Sequence, residues 1–204
     1  MYHYAGNNPI KYTDPDGNHI KLNGTKEENK ILLDMINKYS LDKFAIDEFG
    51  FLYNTGEKNK STKKAPKSSL YSLKLNAAIE STEFTIVIVY SDVHENKDGI
   101  VITEKVSEEA GGGATTYYKD SAFINVTISP KGSTESKTKI KFVTKKGAKY
   151  SKNETPAEIL IHELVGHAIP FLEKWRGNAV DRENDVRDQL KLDLREKEPE
   201  HESF

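Results

Sequence analysis

The chain has 204 residues, 36% of them apolar and 30% charged, with a formal net charge of −2 and no cysteine. That length suits one domain with tails, and the low apolar share implies a modest core with long solvated loops. A net charge this close to zero supplies no global field toward nucleic acid or membrane, and without cysteine any metal is left to His, Asp or Glu.

No run approaches the ~20 apolar residues of a membrane span. Met1 is followed by polar and aromatic residues rather than the apolar stretch of a signal peptide, so export would need another carrier. The lysine-rich stretch from Lys131 to Lys152 and the acidic lean from Asp181 to Glu202 read as solvated surface.

The first residues, Tyr2-His3-Tyr4-Ala5-Gly6-Asn7-Asn8-Pro9 and then Tyr12-Thr13-Asp14-Pro15-Asp16-Gly17-Asn18, form a string of turn signals with no apolar period. They resemble the segment that ends the RHS (YD-repeat) core of bacterial polymorphic toxins, where Tyr-x-x-Asn-Asn-Pro precedes Asp-Pro-x-Gly. The resemblance implies a linker at 1–18 and a toxin domain at 19–204. It also implies a shell-forming RHS core in the full-length toxin, secretion or delivery into a target cell, and a cognate immunity protein. In that family the aspartates of this region are linked to self-cleavage; with the shell absent, Asp14 and Asp16 are expected to be inert.

Ile20–Leu22 reads as a short strand. Thr25-Lys26-Glu27-Glu28 is a capping box, and Ile31, Leu32, Met35, Ile36 and Tyr39 mark one face of the helix it opens. Phe44 to Tyr53 alternates around Gly50 as a hairpin, Lys58 to Lys67 is a basic loop, and Leu70 to Ile79 is a second helix. Phe84 to Tyr90 is a continuous β-branched run, hence a buried strand. Further strands are expected at Ile100–Val106, Ala122–Ile128 and Ile140–Val143, and Gly111-Gly112-Gly113 as a flexible loop. No Lys-Ser/Thr follows those glycines, which argues against a phosphate cradle. The order predicts an α+β domain, helices packed on a mixed or mostly antiparallel sheet.

Thr155-Pro156-Ala157-Glu158 is a second capping box, with proline at the first helical position. The helix runs on through Ile159-Leu160-Ile161-His162-Glu163-Leu164-Val165-Gly166-His167-Ala168-Ile169, until Pro170 disturbs or ends it. A glutamate among so many apolar neighbours is costly to bury unpaired. In the usual zinc-protease pattern, His-Glu-x-x-His, the histidines lie about 40° apart around an α-helix and share one metal. Here His162 and His167 are five apart, about 140° on an ideal α-helix. Shared binding therefore requires a local π-type widening, which Gly166 eases; a bulge or loss of regular helix is predicted near Val165 to His167.

The spelling HELVGH resembles the HELLGH motif of the dipeptidyl peptidase III family, in which this spacing binds zinc and a glutamate on a later helix is the third ligand. From about Ile20 to Arg195 the chain also resembles the zincin-like metallopeptidase toxin domains attached to RHS cores. Those carry HExxH and then a Glu-Asn-x-x-Arg helix, similar to Glu183-Asn184-Asp185-Val186-Arg187. Periodicity points to the same acid. Gly177 closes one helix and Asn178 caps the next, in which Ala179, Val180, Val186 and Leu190 lie within about 60° of Glu183. A buried acid there needs a cation: zinc, or alternatively Arg187 or a lysine.

The expected roles follow. His162, His167 and Glu183 hold Zn2+, and Glu163 is the general base that activates water against a peptide bond of a protein substrate. Ala122 to Val126 is either an edge strand for the substrate backbone or a core strand. Tyr117 and Tyr118 are either oxyanion donors or packing residues. His3, His19, His94 and His201 are expected on the surface. Two other readings stay open: a non-catalytic module with a structural metal or salt-bridge cluster, and a metal-dependent nuclease. The lysine-rich stretch has no interleaved aromatic platform, which disfavours the nuclease.

Overall fold

Four strands make the sheet beside which the site is built. In the computed structural model, which describes residues 19–95, 101–117, 122–136, 139–197 and 201, β1 (Ile20–Leu22), β4 (Thr85–Tyr90), β8 (Phe123–Ile128) and β7 (Gly113–Tyr117) lie in the order β1-β4-β8-β7. The first three run parallel and β7 closes the edge antiparallel to β8. The β-branched run of β4 sits at the centre because its side chains suit burial on both faces, and Ile86, Ile88, Ile124, Val126 and Ile128 are all essentially buried. The mixed α+β architecture matches the expectation. The RHS-like segment 1–18, with His3, Asp14 and Asp16, falls outside the described residues, as do Tyr118 and the side chain of His94.

Helix α1 (Lys26–Tyr39) opens with the anticipated capping box: the Thr25 hydroxyl accepts from the Glu28 amide, and Glu28 reaches back to the Thr25 amide. Leu32 and Ile36 carry its buried face. β2 (Asp42–Ile46) and β3 (Leu52–Lys58) form the hairpin, and α2 (Ser69–Ile79), capped by Ser68, buries Tyr71 and Leu75. A second hairpin, β5 (Val93–Glu95) with β6 (Val101–Lys105), leads into the short α3 (Val106–Glu109). β9 (Lys141–Val143) pairs with β10 (Lys149–Ser151) on one side and β11 (Leu194–Arg195) on the other. The strand expected at Ala122–Ile128 is interior, paired on both sides, so the core reading holds and the edge position belongs to β7. No described helix is long and apolar enough to cross a membrane.

The long helix crosses the sheet in three pieces. α4 (Pro156–Ile161) starts at the Thr155–Glu158 capping box, a π-helical stretch covers His162–Ala168, and α5 (Ile169–Leu172) finishes it. The π stretch falls where the five-residue histidine spacing demanded it, and the Ile169 amide donates to the Leu164 carbonyl, five residues back. Pro170 does not end the helix. It stands in the first turn after the π stretch, where a missing N–H costs little. Gly166 sits in a tight contact: a Cβ there would lie 3.1 Å from both Cβ and O of Ala179, the first residue of α6 (Ala179–Gln189). The widened turn and the start of α6 therefore pack backbone to backbone.

Candidate metal centre

Three imidazoles converge at the π turn. Nε2 of His167 lies 3.2 Å from Nε2 of His162 and 3.2 Å from Nε2 of His201, and the third edge, His201 to His162, is 3.1 Å. Three nitrogens cannot satisfy one another in a triangle, because an N–H aimed along one edge points away from the acceptor on the next. A cation satisfies all three lone pairs at once. Ligands held at about 2.0–2.1 Å around a tetrahedral zinc stand about 3.3 Å apart, close to the observed edges. The described residues thus contain one group, His162, His167 and His201, that could hold a metal ion.

His162 and His167 meet because the π stretch brings residues five apart onto one face. His201 comes from the C-terminal segment, fixed where its carbonyl accepts the Ala179 amide at 3.0 Å. It had been expected on the surface. No periodicity flags a lone histidine in an acidic tail, and only the folded chain shows that the N-terminus of α6 holds it. His19 was also expected outside, yet it is buried beside β4, its Nδ1 3.4 Å from the Ile79 carbonyl.

Glu183 is fully buried, as its apolar neighbours implied, but it does not join the triangle. Its Oε2 accepts from His162 Nδ1 at 2.8 Å, on the ring edge opposite the converging nitrogens. Its other oxygen accepts from Arg187 Nη1 at 2.9 Å, so the alternative salt bridge to Arg187 is present. Glu183 was expected as the third ligand; it is not part of the group that could hold a metal ion, in which His201 stands with His162 and His167, and it contacts His162 from behind. Burial alone would raise the Glu183 carboxyl, but the hydrogen bond with His162 and the Arg195 and Arg187 guanidiniums outweigh it and hold it below the usual carboxylate range. A charged carboxylate on Nδ1 requires the proton there, which leaves Nε2 bare for a metal. Burial, with Arg195 nearby, pushes the His162 imidazole down to about 3, so the ring is neutral, as a ligand must be.

Glu163 lies in the wall of the same cavity, about 410 Å³, with the three histidines. It is buried, which raises its carboxyl, and Thr115 Oγ1 donates to its Oε2 at 2.6 Å. Thr115 belongs to β7, whose first residue, Gly113, was expected in a flexible glycine loop. Gly113 begins that strand because nothing larger fits: a Cβ would meet Ile159 Cγ2 at 2.5 Å and Glu163 Oε1 at 2.7 Å. Gly113→Ala should push β7 off the helix, lower thermal stability by about 1–3 kcal/mol, and reduce any activity that depends on Glu163 more than tenfold. Thermal unfolding read beside turnover would check both. Tyr117 packs its ring against Phe171 and Phe84, at centroid distances of 4.1 and 6.0 Å, which is the packing role.

Comparison with protein-family models, curated proteins and solved structures finds no significant match to this chain.

Proposed function

We propose that the chain is a zinc-dependent peptidase, the C-terminal toxic tip of an RHS-type protein that acts on a protein of a target cell. The observation that carries the enzymatic part is the triangle of converging imidazole nitrogens with a buried glutamate in the same cavity wall. A zinc ion held by His162, His167 and His201 supplies Lewis acidity toward a peptide carbonyl and acidifies a water. Glu163 accepts the proton of the attacking water and returns it to the departing amine. Its raised affinity for protons, a consequence of burial, suits both halves of that transfer. The Thr115 hydroxyl keeps the carboxylate in place meanwhile.

Access supports a peptide substrate over a nucleic acid. The cavity is bounded by the edge strand β7, where Gly113, Ala114, Thr115 and Thr116 line it. An extended chain can add to such an edge by main-chain hydrogen bonds. The toxin context rests on Asn7-Asn8-Pro9 and Asp14-Pro15-Asp16-Gly17 alone, and with it the RHS shell and the immunity protein.

Metal analysis of the purified protein, together with cleavage of a mixed peptide pool, tests the reading. About one zinc per chain is expected, with cleavage lost on chelation and restored by zinc. A protein that binds zinc and loses only thermal stability on chelation, with no peptide cut, would make the metal structural instead.

A further inference from the structure

Thr115 stands in the middle of β7, the end strand of its sheet, and lines the metal cavity. Its hydroxyl has one proton to give. Glu163 Oε2 takes it at 2.6 Å, while the Glu163 carbonyl, at 3.5 Å, is too distant to compete. Among the described residues no other donor meets that buried carboxylate, so Oε1 is left for a water. The ladder fixes where the rest of Thr115 points. The Ser129 amide donates to the Gly112 carbonyl at 2.8 Å, and the pairs from Gly113–Ile128 to Tyr117–Ile124 continue that register. In an antiparallel ladder every second residue turns its main chain to the partner strand. Ala114 and Thr116 therefore face β8 with their main chains, and Thr115 turns its N–H and C=O toward the open edge. Its side chain lies on the helix side of β7, as do Gly113, pressed against Ile159 and Glu163, and Tyr117, packed on Phe171.

We propose that Thr115 is a positioning residue that couples substrate docking to the general base: its main chain pairs with an extended peptide while its hydroxyl holds the Glu163 carboxylate toward the bond to be cut. The inference rests on the peptidase reading and deepens it. Proton transfer needs the carboxylate oxygen within hydrogen-bond reach of the attacking water, and a misplacement of about 1 Å can cost a hundredfold in rate. Peptide and base belong to different bodies, the one lying along the sheet edge and the other rooted in the helix. A single residue that grips both gives them a common reference. The hydroxyl of Thr115 is thus worth more to turnover than to peptide affinity, whereas its main chain serves affinity whatever the side chain.

Two variants of the zinc-supplemented protein separate hydroxyl from backbone. Thr115→Val keeps the branched shape and the strand but has no hydroxyl, and Thr115→Ser keeps the hydroxyl. On one hexapeptide that the unmodified protein cleaves, Thr115→Val should lower kcat about ten- to hundredfold, the worth of a hydrogen bond to a charged group, with KM unchanged. Thr115→Ser should restore kcat to within about threefold, because the same bond is made again. Methylating the peptide's amide nitrogens one at a time, away from the scissile bond, should raise KM about tenfold at one position, and equally in Thr115→Val. Crystal structures of the zinc-free proteins should show the Glu163 carboxylate in its seat in the unmodified and Thr115→Ser proteins and displaced in Thr115→Val. An unchanged kcat in Thr115→Val, a Thr115→Ser protein as slow as Thr115→Val, a loss confined to KM, or no position sensitive to methylation overturns the proposal. An unmodified protein that cuts no peptide rejects the peptidase reading instead. The crystal structures then still decide whether Thr115 seats Glu163, and an unmoved carboxylate in Thr115→Val denies it.

Discussion

Replacing His201 with alanine is expected to lower zinc affinity more than a hundredfold while leaving the domain folded. Loss of a supporting partner behind a ligand costs about ten- to hundredfold in metal affinity, so loss of a ligand itself costs more. His201 is half-exposed and reaches the site from a tail held to the body by a backbone bond to Ala179. The helix that carries His162 and His167 is secured independently by Leu160, Ile161, Leu164, Val165 and Ala168 in the core. Competition with a zinc-sensitive chelating dye reads the affinity, and circular dichroism reads the fold. Glu183→Gln is the informative companion. The amide still accepts from His162 Nδ1 but removes the charge that pins the tautomer, so a smaller loss, about ten- to hundredfold, is expected. Unchanged affinity in His201→Ala would show that the imidazole is a neighbour of the metal and not its ligand.

The helix-based half of the site was legible, and the tail-based half was not. A five-residue gap between His162 and His167 is incompatible with one metal on an α-helix, so the π stretch could be anticipated from spacing and from Gly166 alone. Both capping boxes were readable because the contact is local, three residues from cap to partner. Glu183 could be placed inside by periodicity, but periodicity says which way a side chain faces and not which atom it meets. Its i,i+4 pair with Arg187 is local and could be offered from sequence, but Arg195 and the back edge of His162 are tertiary facts. β7 was masked by three consecutive glycines, whose usual meaning is a loop. Gly113 is there because Ile159 and Glu163 leave no room for a side chain. His201 has no local signal at all, since what places it is the free amide at the start of α6.

Glu163→Gln should reduce peptide cleavage by about a hundred- to ten-thousandfold, the range for removing a general base. It should do so without loss of zinc. The converging nitrogens belong to His162, His167 and His201, and the glutamate is not among them. The glutamine carbonyl can still accept from Thr115 Oγ1, now 2.6 Å from the carboxylate, so the side chain keeps its seat. Stability should hold or rise slightly, because a buried carboxylate whose hydrogen-bond donor is a neutral hydroxyl is costly to keep ionised, and burial already raises its proton affinity. That combination of lost turnover, retained zinc and an undiminished melting temperature is the signature of a residue kept for chemistry. A structural glutamate would show the reverse, with the melting temperature falling and nothing catalytic to lose. Steady-state rates, metal content and thermal unfolding on the same preparation separate the two. A Glu163→Gln protein that cuts peptides at the original rate would remove Glu163 from the mechanism, because its carboxylate could not then be the proton acceptor.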